Sequence, residues 1–429
     1  MRGSPALRNQ SMDALNFVTE LRACGLLEDA RLERSVRELS DRSLSAPELA
    51  RELVRRRLLT LFQARRLLNG KGSELVLGPY RLLLPINASG RVFKAIHGTL
   101  GRRVAVKLLP CPPRRKVSAR ARFERETALA ARLGHPNLVT ALDAFEKDGL
   151  YVLVTEWVSG ADLGQHVRHA GPLSIPTACG LAIQAALALQ HAHDRGLIHQ
   201  RIEPANLLIA EPLAGQSFAD FQLPGMEASP PVKVLNFGQT WAAAAAARRH
   251  NKPLPQPVGA YLAPEQRAER PNPDHRTDLY SLGGCLYLAL TGRPPFAGGG
   301  RTRQPVPAPP LEEMRPEVPS RLAAVVRRLL ALRPAERFDS AADLADVLVP
   351  FCAGSSLGRA SSASFSLATT LSDLRARSTA PVLSLSEKPL LAEVTLPPRN
   401  RHRALKLIAG AMGLGLAAAL AIHLFLSLS

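Results

Sequence analysis

The sequence predicts an α+β fold: a body of two unequal lobes, preceded by a small helical module and followed by a linker and one transmembrane helix. Three observations predict it. Apolar runs at Tyr80–Leu84, Arg91–Ile96, Arg103–Leu109 and Tyr151–Thr155, separated by Gly-containing turns, read as strands. After them the apolar spacing turns helical and stays so to Phe351, and a block of strands followed by a block of helices implies an α+β body. Finally, Leu407 to Leu428 is a 22-residue stretch whose only ionisable side chain is His423.

The elements follow in chain order. Residues 12–72 read as three or four short amphipathic helices, with apolar positions at helical spacing in Leu15-Phe17-Val18-Leu21 and Leu49-Leu53-Leu58. Polar breaks at Asp41-Arg42-Ser43 and Asn69-Gly70 separate them. The strand-rich lobe is expected at 77–158 and the helical lobe at 159–351. Residues 352–403, rich in Ser, Ala, Thr and Leu with Pro381, Pro389, Pro397 and Pro398, read as a flexible linker. The membrane helix is expected at 404–428. At about 1.5 Å per residue its apolar run spans roughly 33 Å, enough for a bilayer core of about 30 Å. Arg399, Arg401, Arg403 and Lys406 flank it on one side only, which places the preceding chain in the cytoplasm. Gly410, Gly413 and Gly415 in that helix allow close pairing, so a dimer is one expectation.

The composition is globular, 46% hydrophobic and 21% charged, and it excludes a disordered or collagenous chain. The net charge is +19. It divides as +4 in residues 1–75, +10 in 76–351, +4 in 352–403 and +1 at Lys406. Spread this thinly, and without basic residues interleaved with aromatics, the charge argues against nucleic-acid binding. The five cysteines are far apart and form no C-x-x-C pair, which disfavours both a disulfide framework and a metal site.

Several ordered motifs lie in the body. Val104-Ala105-Val106-Lys107 puts a lysine on an apolar strand, and Arg122-Phe123-Glu124-Arg125-Glu126 follows it. Next come His135-Pro136-Asn137, Thr155-Glu156-Trp157-Val158 and Gly160-Ala161-Asp162-Leu163. Further on are His199-Gln200-Arg201-Ile202-Glu203-Pro204-Ala205-Asn206, Leu235-Asn236-Phe237-Gly238 and Ala263-Pro264-Glu265, then Asp278 and Arg337. Over roughly residues 77–350 this series resembles the protein kinase family, in particular bacterial serine/threonine receptor kinases with a C-terminal membrane anchor. The resemblance implies a bilobal protein-kinase fold with ATP as the nucleotide. It implies that Lys107 holds the α- and β-phosphates, paired with Glu126, and that Glu156 and Val158 lie in the hinge that meets adenine. Asp162 falls where an acid meets ribose. Val92 and Ala105 would cover one adenine face and Leu208 the other, with His199 and Phe237 packed behind. Glu265 and Arg337 would form a buried ion pair, and Asp278 would hold the catalytic-loop backbone.

The reacting centre departs from the family pattern. Arg201 stands where an aspartate would accept the substrate hydroxyl proton, and a guanidinium cannot act as a base at neutral pH. Glu203 stands where a lysine would neutralise the γ-phosphate. Asn236 replaces the metal-binding aspartate, leaving Asn206 and a neutral amide as the metal ligands, so Mg²⁺ or Mn²⁺ binding is expected to be weak. In the nucleotide loop two of three glycines are missing, with Pro85 and Asn87 in their places and Gly90 retained. Between Gly238 and Ala263 the only Ser/Thr hydroxyl is Thr240, and the arginine that would read a phosphate there is Gln200. Glu211 to Pro231 looks like an insertion.

Together these features point to a membrane-anchored pseudokinase, a signalling scaffold or allosteric module that engages protein partners with weak or no phosphoryl transfer. Two alternatives stand beside it. One is an active serine/threonine kinase acting on protein substrates, with an atypical loop and Asp220 as the only nearby acid. The other is a membrane-tethered scaffold that binds through its N-terminal helices.

Overall fold

A computed structural model of the chain describes residues 12–352, apart from 28, 41–43, 88, 111–115, 212–228, 238–259, 268–271 and 297–307. The expected linker and membrane helix, the residues 238–259 and the acid Asp220 therefore lie outside the described residues, as does the side chain of Glu126. Among the described residues no helix is long and apolar enough to cross a membrane.

Four short helices open the chain: α1 (Ala14–Ala23), α2 (Asp29–Ser40), α3 (Ala46–Arg55) and α4 (Leu61–Leu68). Their i, i+3 and i+4 apolar positions, among them Phe17 and Leu21, Leu49 and Leu53, and Ala64 and Leu67, meet in one buried core that Leu75 completes. Polar caps start the helices. Asp13 Oδ1 accepts the Asn16 N–H at 2.7 Å, and Thr60 and Gln63 form a reciprocal capping box on α4.

A six-stranded antiparallel sheet follows, in the order β1-β2-β3-β4-β6-β5. Its strands are β1 (Val76–Leu77), β2 (Tyr80–Pro85), β3 (Val92–His97), β4 (Arg103–Pro110), β5 (Ala141–Lys147) and β6 (Leu150–Glu156). The helix α5 (Lys116–Ala131) packs on it, with Phe123 stacked on Tyr151 at 4.5 Å between ring centroids. Side chains alternate across the sheet. Val104 and Val106 are buried on one face, which leaves Ala105 and Lys107 on the other, where Val92 pairs with Lys107 and Ala105 with Thr155.

The capping box of α4 has a second use. Thr60 Oγ1 donates to the Leu83 carbonyl at 2.6 Å and Gln63 Nε2 to the Leu82 carbonyl at 2.7 Å, both on β2. Phe62 lies against Phe93 of β3, 5.8 Å between ring centroids. The helical module is thus joined to the hairpin that carries the nucleotide-loop sequence.

A small sheet of β7 (Gly160–Asp162), β8 (Leu207–Ala210) and β9 (Val232–Val234) begins the second lobe. Only glycine fits at position 160. Its φ is +146°, and a Cβ there would lie 2.1 Å from the Ile209 carbonyl oxygen. The helices among the described residues are α6 (Leu163–Ala170), α7 (Ile175–His193), α8 (Arg276–Thr291), α9 (Leu311–Met314), α10 (Ser320–Leu329) and α11 (Ala341–Leu348). Helices α7 and α8 are apolar almost all round, because they form the centre of the largest core, with α10 and α11 packed on it. Gly283 permits the close approach of α8 and α10, since a Cβ would come within 2.6 Å of the Leu329 side chain. Cys24, Cys179, Cys285 and Cys352 are free thiols.

Candidate functional site

The segment carrying His199 to Asn206 is held from below by Asp278. This fully buried carboxylate accepts the backbone N–H of His199 at 2.8 Å and of Gln200 at 2.7 Å, and the His193 Nε2–H at 2.8 Å. Gln200 has a left-handed φ of +59°, uncommon for a residue with a side chain, and Gln266 Nε2 donates to its carbonyl at 2.7 Å. A second fixed point is Arg337, which donates to both Glu265 oxygens at 2.7 and 2.9 Å with its guanidinium over the Tyr280 ring. Burial alone would push the Glu265 carboxyl up. The hydrogen bonds from Arg337, its own backbone N–H and Thr277 outweigh that and hold it below the ordinary carboxylate value.

The charged residues at the centre form one network. Arg201 Nε lies 3.3 Å from Glu203 Oε1, and Asn206 Nδ2 donates to the Arg201 carbonyl at 2.8 Å and to Glu203 Oε1 at 3.3 Å. Asn236, at a left-handed φ of +71°, donates from Nδ2 to Asn206 Oδ1 at 2.5 Å. Its Oδ1 accepts the Lys107 ammonium at 3.1 Å. His199 donates from Nε2 to the Leu235 carbonyl at 2.7 Å, which leaves Nδ1 to accept the Arg201 N–H at 3.2 Å. Phe237 meets the His199 ring edge to face at 4.6 Å. Five residues named from the sequence, Lys107, Arg201, Glu203, Asn206 and Asn236, are therefore brought together from β4, the loop before β8 and the turn after β9.

Electrostatics follow from this packing. Burial, aided by the nearby Arg201 charge and opposed by Glu203, brings Lys107 down to about 8. Burial raises the Glu203 carboxyl above its ordinary value, although Arg201 and Lys107 pull the other way. The Arg201 side chain is 45% exposed, so its charge is partly open to solvent.

The residues expected to flank adenine, Val92, Ala105 and Leu208, are half-buried, on β3, β4 and β8. Glu156 is engaged at three points: its N–H donates to the Thr140 carbonyl, and Oε1 accepts the Lys233 ammonium at 2.9 Å and the Thr140 N–H at 3.0 Å. Val158 follows two positions on, half-buried. The Asp162 carboxylate serves as the N-cap of α6, accepting the Gln165 N–H at 2.8 Å.

Sequence reasoning missed two features. The Lys94 ammonium sits 4.4 Å from the centre of the Trp157 ring, and no pattern in sequence pairs them. Asn87 Oδ1 accepts the backbone N–H of Arg91 at 3.2 Å and of Val92 at 3.3 Å, so the loop satisfies its own amides. The substitution at Asn87 was legible as a lost glycine; its side-chain bonds were not.

The residues that would hold a divalent cation do not fit one. Both candidate ligands are neutral amides, and their oxygens are already used, Asn206 Oδ1 by the Asn236 amide and Asn236 Oδ1 by an ammonium. The carboxylate of Glu203 is bound by Arg201 and Asn206. Mg²⁺ sheds water reluctantly and takes anionic oxygen, so this donor set is a poor one. Among the described residues no group of three or more His, Cys, Asp or Glu side chains is placed to hold a metal.

A family model described as the protein kinase domain matches residues 87–346. The chain is 35% identical over 281 residues to a probable serine/threonine-protein kinase of Corynebacterium efficiens, covering 62% of this chain and 40% of that protein. It is 34% identical over 279 residues to serine/threonine-protein kinase PknH of Mycobacterium tuberculosis, covering 62% and 41%. To serine/threonine-protein kinase PrkC of Bacillus subtilis it is 30% identical over 282 residues, covering 64% and 41%. The chain thus spans about two fifths of the length of these curated relatives. Among solved structures, the PknI kinase domain of Mycobacterium tuberculosis superposes with a TM-score of 0.50 at 28% identity, covering 64% of this chain and 97% of that one.

Proposed function

Since the chain belongs to the protein kinase domain family, we propose that it is a membrane-anchored pseudokinase, a kinase-fold module that engages protein partners without efficient phosphoryl transfer. The observation that carries this reading is the ion pair of Arg201 with Glu203 at the position of the catalytic acid. A guanidinium cannot take the proton of an attacking hydroxyl, and the carboxylate of Glu203 is committed to that guanidinium. The retained ties at Asp278 and at Glu265–Arg337 support a folded large lobe in which the chemistry, not the scaffold, has changed. A nucleotide is expected between Val92 and Ala105 on one side and Leu208 on the other. The anchor is the apolar span 404–428, which keeps the body at the cytoplasmic face of the membrane.

A phosphotransfer assay of the full chain with Mg²⁺ and with Mn²⁺ tests the reading. Incorporation no greater than that of Lys107→Ala is expected. Turnover that Lys107→Ala abolishes would establish an active serine/threonine kinase instead.

A further inference from the structure

We propose that the cleft binds a polyphosphate anion, a nucleoside triphosphate above all, without a divalent cation, with Lys107 and Arg201 together supplying the positive charge. This rests on the reading of the cleft as non-transferring, and it names the ligand of that same site.

Three independent observations lead there. The metal positions are closed, because an ammonium and an amide already occupy the two amide oxygens that would have to turn to a cation. The loop that would cradle phosphates through backbone N–H groups has turned two of them onto Asn87 Oδ1. What remains is cationic. Arg201 meets Glu203 through Nε at 3.3 Å, and with its side chain 45% exposed its two terminal nitrogens can reach a ligand. These form the planar donor fork that suits phosphate oxygens.

The charge balance agrees. Lys107 and Arg201 both act as positive charges on the buried Glu203 carboxyl. Arg201 acts on Lys107 as a like charge, and an anion seated between them would turn that repulsion into attraction for both. The Glu203 carboxyl is already engaged by Arg201 and Asn206, and a metal would remove charge from the ligand that the cations bind. Free nucleotide should therefore bind at least as tightly as its Mg²⁺ complex.

The test is calorimetric titration of the full chain in detergent with ATP, with EDTA in one arm and excess Mg²⁺ in the other. Equal or tighter binding in EDTA is expected. Arg201→Ala should weaken it by about tenfold or more, the loss of a charge-assisted pair. Glu203→Gln, which removes the competing carboxylate at nearly constant shape, should tighten it by about threefold or more. Adenosine and inorganic tripolyphosphate as competitors separate the sources of affinity: displacement by tripolyphosphate is expected, and displacement by adenosine alone would overturn the role of the cations. Binding that requires Mg²⁺, or no binding in either arm, would also overturn the inference. Neither result touches the phosphotransfer assay, whose outcome alone decides whether the cleft transfers phosphate.

Discussion

His135 shows how a single buried group can set the acid limit of such a fold. Burial first, then the neighbouring His191, Lys233 and Arg195 charges, bring it from its ordinary 6.5 down to about 3. Its Nδ1 accepts the Asn137 N–H at 3.0 Å, a bond available only to the neutral ring. Between those two values the unfolded chain binds a proton that the folded chain refuses. Stability is therefore intact above about pH 6.5 and falls as the pH drops toward 3. Urea unfolding at pH 7 and pH 4.5 should differ by about 1–3 kcal/mol more in the native chain than in His135→Asn, which keeps an acceptor but cannot titrate. An identical pH dependence in the two proteins would remove His135 from this role. At the same scale, the charges at 201 and 203 are coupled, because each is the other's partner.

Among the elements, α4 and β2 behave as one unit. The Thr60–Gln63 capping box would start a helix in any context, but here the remaining hydrogen-bonding capacity of both side chains ends on consecutive carbonyls of β2. Gln63 is buried, so Gln63→Ala removes a cap and leaves the Leu82 carbonyl without its donor. A destabilisation of about 1–3 kcal/mol is expected from denaturant unfolding. Gln63→Glu should be worse, because the carboxylate cannot donate to that carbonyl. A neutral result for Gln63→Ala would mean that water replaces the bond. The strand β5 makes a different point. It is an edge strand, and its residues are half-buried or exposed without clean alternation, so no period-2 signal announced it.

For the whole molecule, the consequence is a continuous path from the helical module to the cleft. The Phe62–Phe93 contact belongs to both the helical core and the sheet core, and β3 continues from Phe93 directly beside Val92, opposite Lys107. Deleting residues 12–70 should therefore lower the Tm of the remaining body by about 5 °C or more, since it exposes Phe93 and strips two β2 carbonyls of their donors. Scanning calorimetry of both forms checks it, and an unchanged Tm would make the module an independently folded bead. The same deletion tests whether protein partners are captured by the helices or by the kinase-like surface.

By itself the sequence determined the inventory of charge and the local elements. Position 201 carries a guanidinium and position 236 a neutral amide, whatever surrounds them. The four strands named from sequence appear within about two residues, because apolar periodicity is written in neighbouring positions. Only the tertiary structure decided how those groups are used. Lys107 meets Asn236 across 129 positions of chain, and Asp278 reaches back 79 to the His199 N–H. Such pairings depend on strand register and on which loop conformation the core permits. A list of residues carries neither, and so the sequence could show which side chains stand at the centre but not which partners their oxygens and amides take.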